Sequence, residues 1–144
     1  MKRTTKMTTL CTAAALTASA GGVVSATPTE SQHLRGLGGR SFAVQVFLED
    51  GAPLFPNCYT FEADGTWIDP LAPLGTWEQH RSGVDTTYSA AAPTPLGDIE
   101  QTGSVHPRVG LLQLRASTFV PAGIAGPDSV TVISIGQEVE SCAA

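Results

Sequence analysis

Three carboxylate residues lie close in sequence to the two tryptophans of this chain. They are Asp64, Asp69 and Glu78, and the tryptophans are Trp67 and Trp77. Neighbouring carboxylates can act as general acid and base in glycoside hydrolysis, or can bind calcium. Asp64 precedes a glycine and is explained better by a turn, in which an Asp side chain hydrogen-bonds its own backbone. Calcium needs several closely spaced oxygen ligands, so we expect no metal site and no acidic catalytic site.

Histidine and serine give no stronger indication of catalysis. His80 adjoins Arg81 at a predicted strand end, and His106 precedes Pro107 in a predicted turn. No Gly-x-Ser-x-Gly motif accompanies them. We interpret both histidines as exposed turn residues, and we expect a protein that is not an enzyme and carries no cofactor.

The segment from Cys58 to Trp67 predicts a hairpin. A three-residue loop, Ala63-Asp64-Gly65, with Gly65 in the left-handed region, pairs Phe61 with Trp67. A two-residue loop would instead place Trp67 opposite Glu62. We prefer the first register because it places Tyr59, Phe61 and Trp67 on one face of the sheet.

The tripeptide Gly-Thr-Trp recurs at residues 75–77 and adds a fourth aromatic side chain to this face. A loop centred on residue 72 would place Trp67 directly opposite Trp77. These four side chains, here called the aromatic row, are the candidate ligand-binding residues: Tyr59, Phe61, Trp67 and Trp77. Because each aromatic ring buries roughly 150–250 Å², plain core packing is the favoured interpretation of the aromatic row. A ligand-contacting wall is the alternative.

Short alternating runs separated by Gly and Pro continue to the end of the chain and predict an all-β fold. Arg115 alternates with Leu114 and Ala116 and is expected on the outer face, and Gly136 suggests a bulge or bend. Asp50–Pro56 and His106–Arg108 are predicted as a loop and a turn. The remaining predicted strands are Ser41–Leu48, Val84–Ala91, Asp98–Val105, Gly110–Phe119 and Asp128–Val139. About eight strands result, enough for a small antiparallel up-and-down barrel without exposed edges.

Residues 1–26 have the three parts of a secretory signal peptide. A basic start is followed by an uncharged run at residues 10–24 and by the small residues Val24-Ser25-Ala26. The run is shorter than the roughly 20 apolar residues of a membrane-spanning helix. We predict cleavage after Ala26, with Ala20 as the second choice, and export to the periplasm or the extracellular space.

Cleavage would leave a flexible leader at residues 27–40, a folded domain at residues 41–144 and no membrane span. It would remove both Lys residues and Cys11, leaving five Arg against 13 Asp and Glu. The two remaining cysteines are Cys58 and Cys142. In an exported protein such a pair predicts a disulfide, which would tie the end of the chain to the second strand.

The order of these elements resembles a small bacterial lipocalin-like, or calycin-type, barrel. The residues that carry the resemblance are Cys58-Tyr-Thr-Phe-Glu-Ala-Asp-Gly-Thr-Trp67 and Gly75-Thr-Trp-Glu78, which are similar to Phe-x-x-Asp-Gly-Thr-Trp and Gly-x-Trp hairpins of such proteins. The resemblance covers about residues 41–142. It departs in its first strand, Ser41–Leu48, which has no Gly-x-Trp. It implies a barrel that acts by binding.

Composition narrows the possible partners. A hydrophobic fraction of 42% excludes a disordered chain, and a net charge of −5 argues against nucleic acid, whose phosphates attract clustered Lys and Arg. Two hypotheses follow. The first is a carrier or sensor of a small apolar or aromatic ligand held against the aromatic row. The second is a secreted protein-binding module, such as a protease inhibitor, with a packed interior and contact loops at Asp50–Pro56, Asp69–Leu74 and Ala122–Pro127.

Overall fold

Eight strands make up most of the described chain. The computed structural model describes residues 36–81 and 85–142, so the predicted signal peptide and most of the predicted leader lie outside the described residues. Within this part of the chain no helix is long and apolar enough to cross a membrane. The strands are β1 (Arg40–Leu48), β2 (Pro53–Phe61), β3 (Thr66–Ile68), β4 (Gly75–Arg81), β5 (Thr86–Ala92), β6 (Ile99–Arg108), β7 (Leu111–Val120) and β8 (Val130–Val139).

The strands form a closed antiparallel barrel. Each strand pairs with the next one in sequence, and β1 pairs with β8 from Ser41↔Val139 to Leu48↔Val132. Closure removes the free sheet edges through which β-proteins aggregate. The predicted up-and-down barrel of about eight strands is confirmed, and its architecture is compatible with a lipocalin-like fold.

The two ends of the barrel differ in their connections. The end that we call the Leu37 end carries residues 36–39 and the short turns at 62–65 and 109–110. There Leu37 is buried, and its backbone N–H donates a hydrogen bond to Gln79 Oε1 at 3.3 Å. The opposite end, here called the loop end, carries the connections at residues 49–52, 69–74, 93–98 and 121–129, of which the last three are longer.

The hairpin between β2 and β3 has the predicted register. Phe61 pairs with Trp67, and the Glu62 N–H donates to the Thr66 carbonyl oxygen at 2.8 Å. Gly65 has a φ of 95°, a left-handed conformation that favours glycine. Asp64 Oδ1 accepts a hydrogen bond from the Thr66 N–H at 2.9 Å, so this side chain stabilises its own turn as predicted.

The register between β3 and β4 differs from the prediction. Trp67 pairs with Gly75, not with Trp77, so the connecting loop is centred one residue earlier. A Cβ atom on Gly75 would lie 2.3 Å from the Ala91 carbonyl oxygen and 3.0 Å from Trp67 Cε3. Only glycine fits this close approach. Because the shift moves the pairing by two residues, Trp77 keeps its predicted face.

Two segments predicted as loop or turn contain strand residues in the structure. β2 begins at Pro53 and includes Pro56, although Asp50–Pro56 was expected to be a loop. Since β3 pairs with Thr60 and Phe61, the first part of β2 extends past the end of β3, and proline is tolerated where a strand has a neighbour on one side only.

The turn predicted at His106–Arg108 is the second of these cases. β6 continues to Arg108, and Pro107 lies within this strand, where it pairs with Leu112 of β7. The actual turn is Val109-Gly110, with φ values of 51° and 83°.

Gly136 lies in a regular ladder and not in a bulge. β8 keeps its register with both β1 and β7 through this residue. A Cβ atom at Gly136 would lie within 2.5 Å of Val44 Cα and closer still to the Ala43 carbonyl oxygen. Glycine is therefore required by the close approach of β1 and β8.

The interior of the barrel is filled by side chains from alternate positions of the strands. Arg115 is exposed on the outer face, as predicted. The Cys58–Cys142 disulfide is present, with a Cα–Cα distance of 5.7 Å, and ties the end of the chain to β2. Its sequence separation of 84 residues corresponds to roughly 4–5 kcal/mol in the chain-entropy model. The buried hydrophobic residues are Leu37, Phe42, Val44, Val46, Tyr59, Phe61, Trp67, Tyr88, Ala90, Ala92, Ile99, Val105, Leu112, Leu114 and Ala116.

Candidate ligand-binding site

The aromatic row lies inside the barrel and forms its central packing. Phe61 and Trp67 are fully buried, and Tyr59 packs against Trp67 with ring centroids 6.0 Å apart. Trp77 is partly buried near the Leu37 end, where it packs edge-on against Phe61 at 5.6 Å. Its indole N–H donates to the Glu62 carbonyl oxygen at 2.9 Å. The interior is therefore filled at the level of Phe61 and Trp67.

A cavity of about 230 Å³ opens at the loop end of the barrel. Of the aromatic row, Tyr59 alone lines it, because this residue is the member nearest the loop end. Side chains from β2, β6, β7, β8 and two connections form its wall. They include Tyr59, Leu71, Ala72, Ile99, Thr118 and Val132, together with the carboxylate residue Asp69.

Asp69 lies in the wall of this cavity directly after β3. The residue is only 8% exposed. Its Oδ1 atom accepts hydrogen bonds from Asn57 Nδ2 and from the Leu71 N–H, both at 2.9 Å. These two donors are neutral, so they orient the carboxylate without neutralising its charge.

The other two carboxylates near the tryptophans, Asp64 and Glu78, do not line this cavity. Asp64 is exposed in the hairpin at the Leu37 end, and Glu78 is exposed on the outer face of β4, where it pairs with Ser89. Across residues 36–81 and 85–142, no group of three His, Cys, Asp or Glu side chains is arranged to hold a metal ion.

A buried polar cluster lies behind the cavity. The Tyr59 hydroxyl is 2.7 Å from Ser134 Oγ, and Gln101 Nε2 donates to Thr118 Oγ1 at 2.8 Å. The Tyr88 hydroxyl donates to Gln101 Oε1. Sequence reasoning missed this cluster, because its members come from strands that are distant in sequence and only Tyr59 and Tyr88 are aromatic.

Both tyrosines of this cluster resist ionisation. Burial raises the pKa of Tyr59, the hydrogen bond with Ser134 opposes that effect, and the nearby Asp69 carboxylate raises the pKa further. Burial raises the pKa of Tyr88 well above its ordinary value, and Tyr59 adds to this. The phenols therefore remain neutral hydrogen-bonding groups at physiological pH.

Among the described residues, one buried side-chain nitrogen or oxygen has no hydrogen-bond partner, and it belongs to Trp67. This atom is the indole Nε1, and a buried donor without an acceptor costs free energy. A bound water or a ligand oxygen next to Trp67 would satisfy it.

The histidines lie on strands and not in turns. His80 is exposed on β4, and its Nε2 atom is 2.7 Å from Ser89 Oγ. His106 is partly buried on β6, with Nε2 at 3.2 Å from Gln113 Oε1. Over the described ranges no carboxylate is hydrogen-bonded to His80, so a third group that would orient this Ser–His pair for catalysis is not seen.

No protein-family model, no curated protein and no solved structure matches this chain.

The rim of the loop end is apolar and acidic. Seven of the nine exposed large hydrophobic residues in the described chain lie there. They are Leu54, Phe55, Leu71, Leu74, Leu96, Phe119 and Ile124. The three segments predicted as contact loops of a protein-binding module, Asp50–Pro56, Asp69–Leu74 and Ala122–Pro127, also lie at this end, although Pro53–Pro56 belong to β2.

Proposed function

We propose that this chain is an exported, non-catalytic binding protein that holds a small apolar or aromatic ligand in the cavity at the loop end. The observation that carries the proposal is the cavity itself, about 230 Å³ in volume, which reaches Tyr59 and is lined mainly by apolar side chains. Concave apolar sites with a few polar groups are the usual form of small-molecule sites.

The volume limits the size of the ligand. An apolar cavity of about 150 Å³ can bind benzene, and sites for drug-sized molecules begin at about 300 Å³. A cavity between these sizes suits a compound with one ring. Phe61 and Trp67 fill the barrel below Tyr59, so the ligand would remain near the loop end.

Rigid surroundings support binding by a preformed site. Half of the residues that line the cavity lie on strands of a closed barrel, and the hydroxyl of Tyr59 is held by Ser134. A site that is already ordered loses little conformational entropy when the ligand binds.

Export is part of the same proposal. The pattern of residues 1–26 supports a cleaved signal peptide, and the Cys58–Cys142 bridge suits the oxidising periplasm or extracellular space. A relationship to small bacterial lipocalin-like proteins is consistent with the closed eight-stranded barrel.

A second candidate function is a protein-binding module. The exposed apolar residues around the loop end favour it, since contiguous apolar surface often marks a contact site. Under this alternative the partner would cover the rim, and the cavity would be incidental.

Native mass spectrometry of protein purified from its host tests the proposal. We expect a small molecule that is retained by the native chain and lost from Ala72→Phe, which fills the cavity. Ala122→Phe is the matched control, because Ala122 is exposed at the same end and does not line the cavity. A clean protein mass together with a co-purified protein would favour the second candidate and reject the carrier.

A further inference from the structure

We propose that the ligand of the loop-end cavity is a small organic cation, an amine with a one-ring or short aliphatic body whose ammonium group contacts Asp69. This inference rests on the proposed function and specifies the class of ligand. It begins from the presence of a buried carboxylate in a wall that is otherwise mostly apolar.

Asp69 has no cationic partner among the described residues. The ion pair found in this part of the chain joins Arg40 to Glu138 near the Leu37 end. Asn57 Nδ2 and the Leu71 N–H donate hydrogen bonds to Asp69, and both bonds reach Oδ1. A carboxylate accepts at both of its oxygens, so Oδ2 remains able to receive a donor from a ligand.

The remainder of the wall selects against anions. Leu71, Ala72, Ile99 and Val132 are apolar, and no Arg, Lys or His lines the cavity. An anionic ligand would bring a second negative charge next to Asp69, and the two like charges would repel each other. A neutral ligand would remove water from the carboxylate without replacing its hydrogen bonds. A ligand with an ammonium group and an apolar body would pair with the Asp69 carboxylate and pack against the apolar side chains.

The charge around the opening has the same sign as Asp69. Glu49, Asp50, Asp98 and Asp128 are exposed at the loop end. The described arginines lie elsewhere: Arg40, Arg81 and Arg108 are placed at the Leu37 ends of their strands, and Arg115 is exposed on the outer face. A concave site surrounded by one sign of charge concentrates ligands of the opposite sign.

Three compounds of the same shape separate charge from size: benzylamine, benzyl alcohol and benzoate, titrated at pH 7 by calorimetry. We expect benzylamine, which is protonated, to bind at least tenfold more tightly than benzyl alcohol, because hydrogen bonds to charged groups are the stronger class. Benzoate should not bind measurably.

Asp69→Asn is the decisive variant, because its side-chain oxygen can still accept the hydrogen bonds that Asp69 receives. We expect it to reduce the preference for benzylamine over benzyl alcohol to less than about threefold. Asp98→Asn, an exposed carboxylate at the same end, should leave the preference unchanged. If Asp69→Asn fails to fold, amide shifts in the native protein decide: benzylamine must perturb the Leu71 N–H and the Asn57 side-chain amide most strongly.

The outcomes separate this inference from the function on which it rests. Equal binding of benzylamine and benzyl alcohol to the native protein would reject the cation and retain a small-ligand site. Unchanged preference in Asp69→Asn, or shifts centred away from Leu71, would also reject it. Binding of none of the three compounds at millimolar concentration would reject both the inference and the carrier function.

Discussion

Gly75 lies directly opposite Trp67 across the β3–β4 pair and has no room for a side chain. A Cβ atom there would be 2.3 Å from the Ala91 carbonyl oxygen and 3.0 Å from Trp67 Cε3. The contact joins three strands at the level where Trp67 fills the barrel, so this glycine determines how the aromatic row packs.

Gly75→Ala is therefore expected to destabilise the barrel by about 2–3 kcal/mol, because the backbone of β5 cannot move away without breaking its ladder. Urea denaturation measures the change. Gly126→Ala is the control, since nothing lies within 4 Å of a Cβ atom at Gly126, and it should be nearly neutral. Equal stability of the two variants would show that β4 and β5 are farther apart than described.

Val109 at the tip of the β6–β7 hairpin is strained. Its φ is 51°, and its side chain is 96% exposed, so no packing compensates for the left-handed conformation. Val109→Asn should stabilise the protein by about 1 kcal/mol, because Asn-Gly is the favoured pair for such a turn. Thermal melting detects this as a higher Tm. Val109→Thr keeps the β-branch and should give no increase, whereas a similar gain in both variants would argue against backbone strain.

The disulfide between Cys58 and Cys142 is expected to contribute about 2–5 kcal/mol to stability. Urea midpoints with and without reducing agent should differ accordingly for the native protein. The double variant Cys58→Ser/Cys142→Ser should match the reduced protein and be insensitive to reducing agent. A native midpoint that does not respond to complete reduction would contradict a stabilising bridge.

The two tyrosines of the chain, Tyr59 and Tyr88, should not ionise near pH 10 while the protein is folded. Both pKa values are raised above the ordinary value of 10.0, mainly by burial, so the folded state holds these protons more tightly than the unfolded state. Stability should therefore be unaffected by these groups below pH 10 and should fall as the pH rises above it.

Ultraviolet absorbance of the phenolate, recorded together with circular dichroism, measures this alkaline behaviour. We expect the phenolate signal to appear above pH 10 and to coincide with loss of structure. Tyr88→Phe should shift the loss of structure to higher pH, because this variant has one fewer phenol whose ionisation favours the unfolded state. Ionisation of either tyrosine near pH 10 with unchanged dichroism would show that its hydroxyl is accessible to water.

Local patterns in the sequence were sufficient for several elements. Alternating residues from Phe42 to Val46 predicted β1, and Asp64-Gly65 predicted the hairpin. Its register was predicted from the shared face of Tyr59, Phe61 and Trp67. The pair of cysteines predicted the bridge. The strand and the hairpin depend on neighbouring residues in the chain, and two cysteines can form only one disulfide. Tertiary contacts therefore did not change these features.

The site was predicted less completely. Sequence reasoning selected the aromatic row, of which Tyr59 lines the cavity, and considered Asp69 as part of an acidic cluster and of a contact loop. A usable signal was present: most of the prolines and exposed leucines lie in or next to the connections between alternate strands, which an up-and-down barrel brings to one end.

By itself, the sequence determined the all-β class, the strand number and the disulfide, because alternation and turn residues act locally. Only the tertiary structure decided that Gly75 faces Trp67, that Pro56 and Pro107 remain in strands, and that the interior closes at Phe61 but opens at Tyr59. The physical reason is that each of these depends on how closely non-neighbouring strands approach one another, a distance that no local pattern contains.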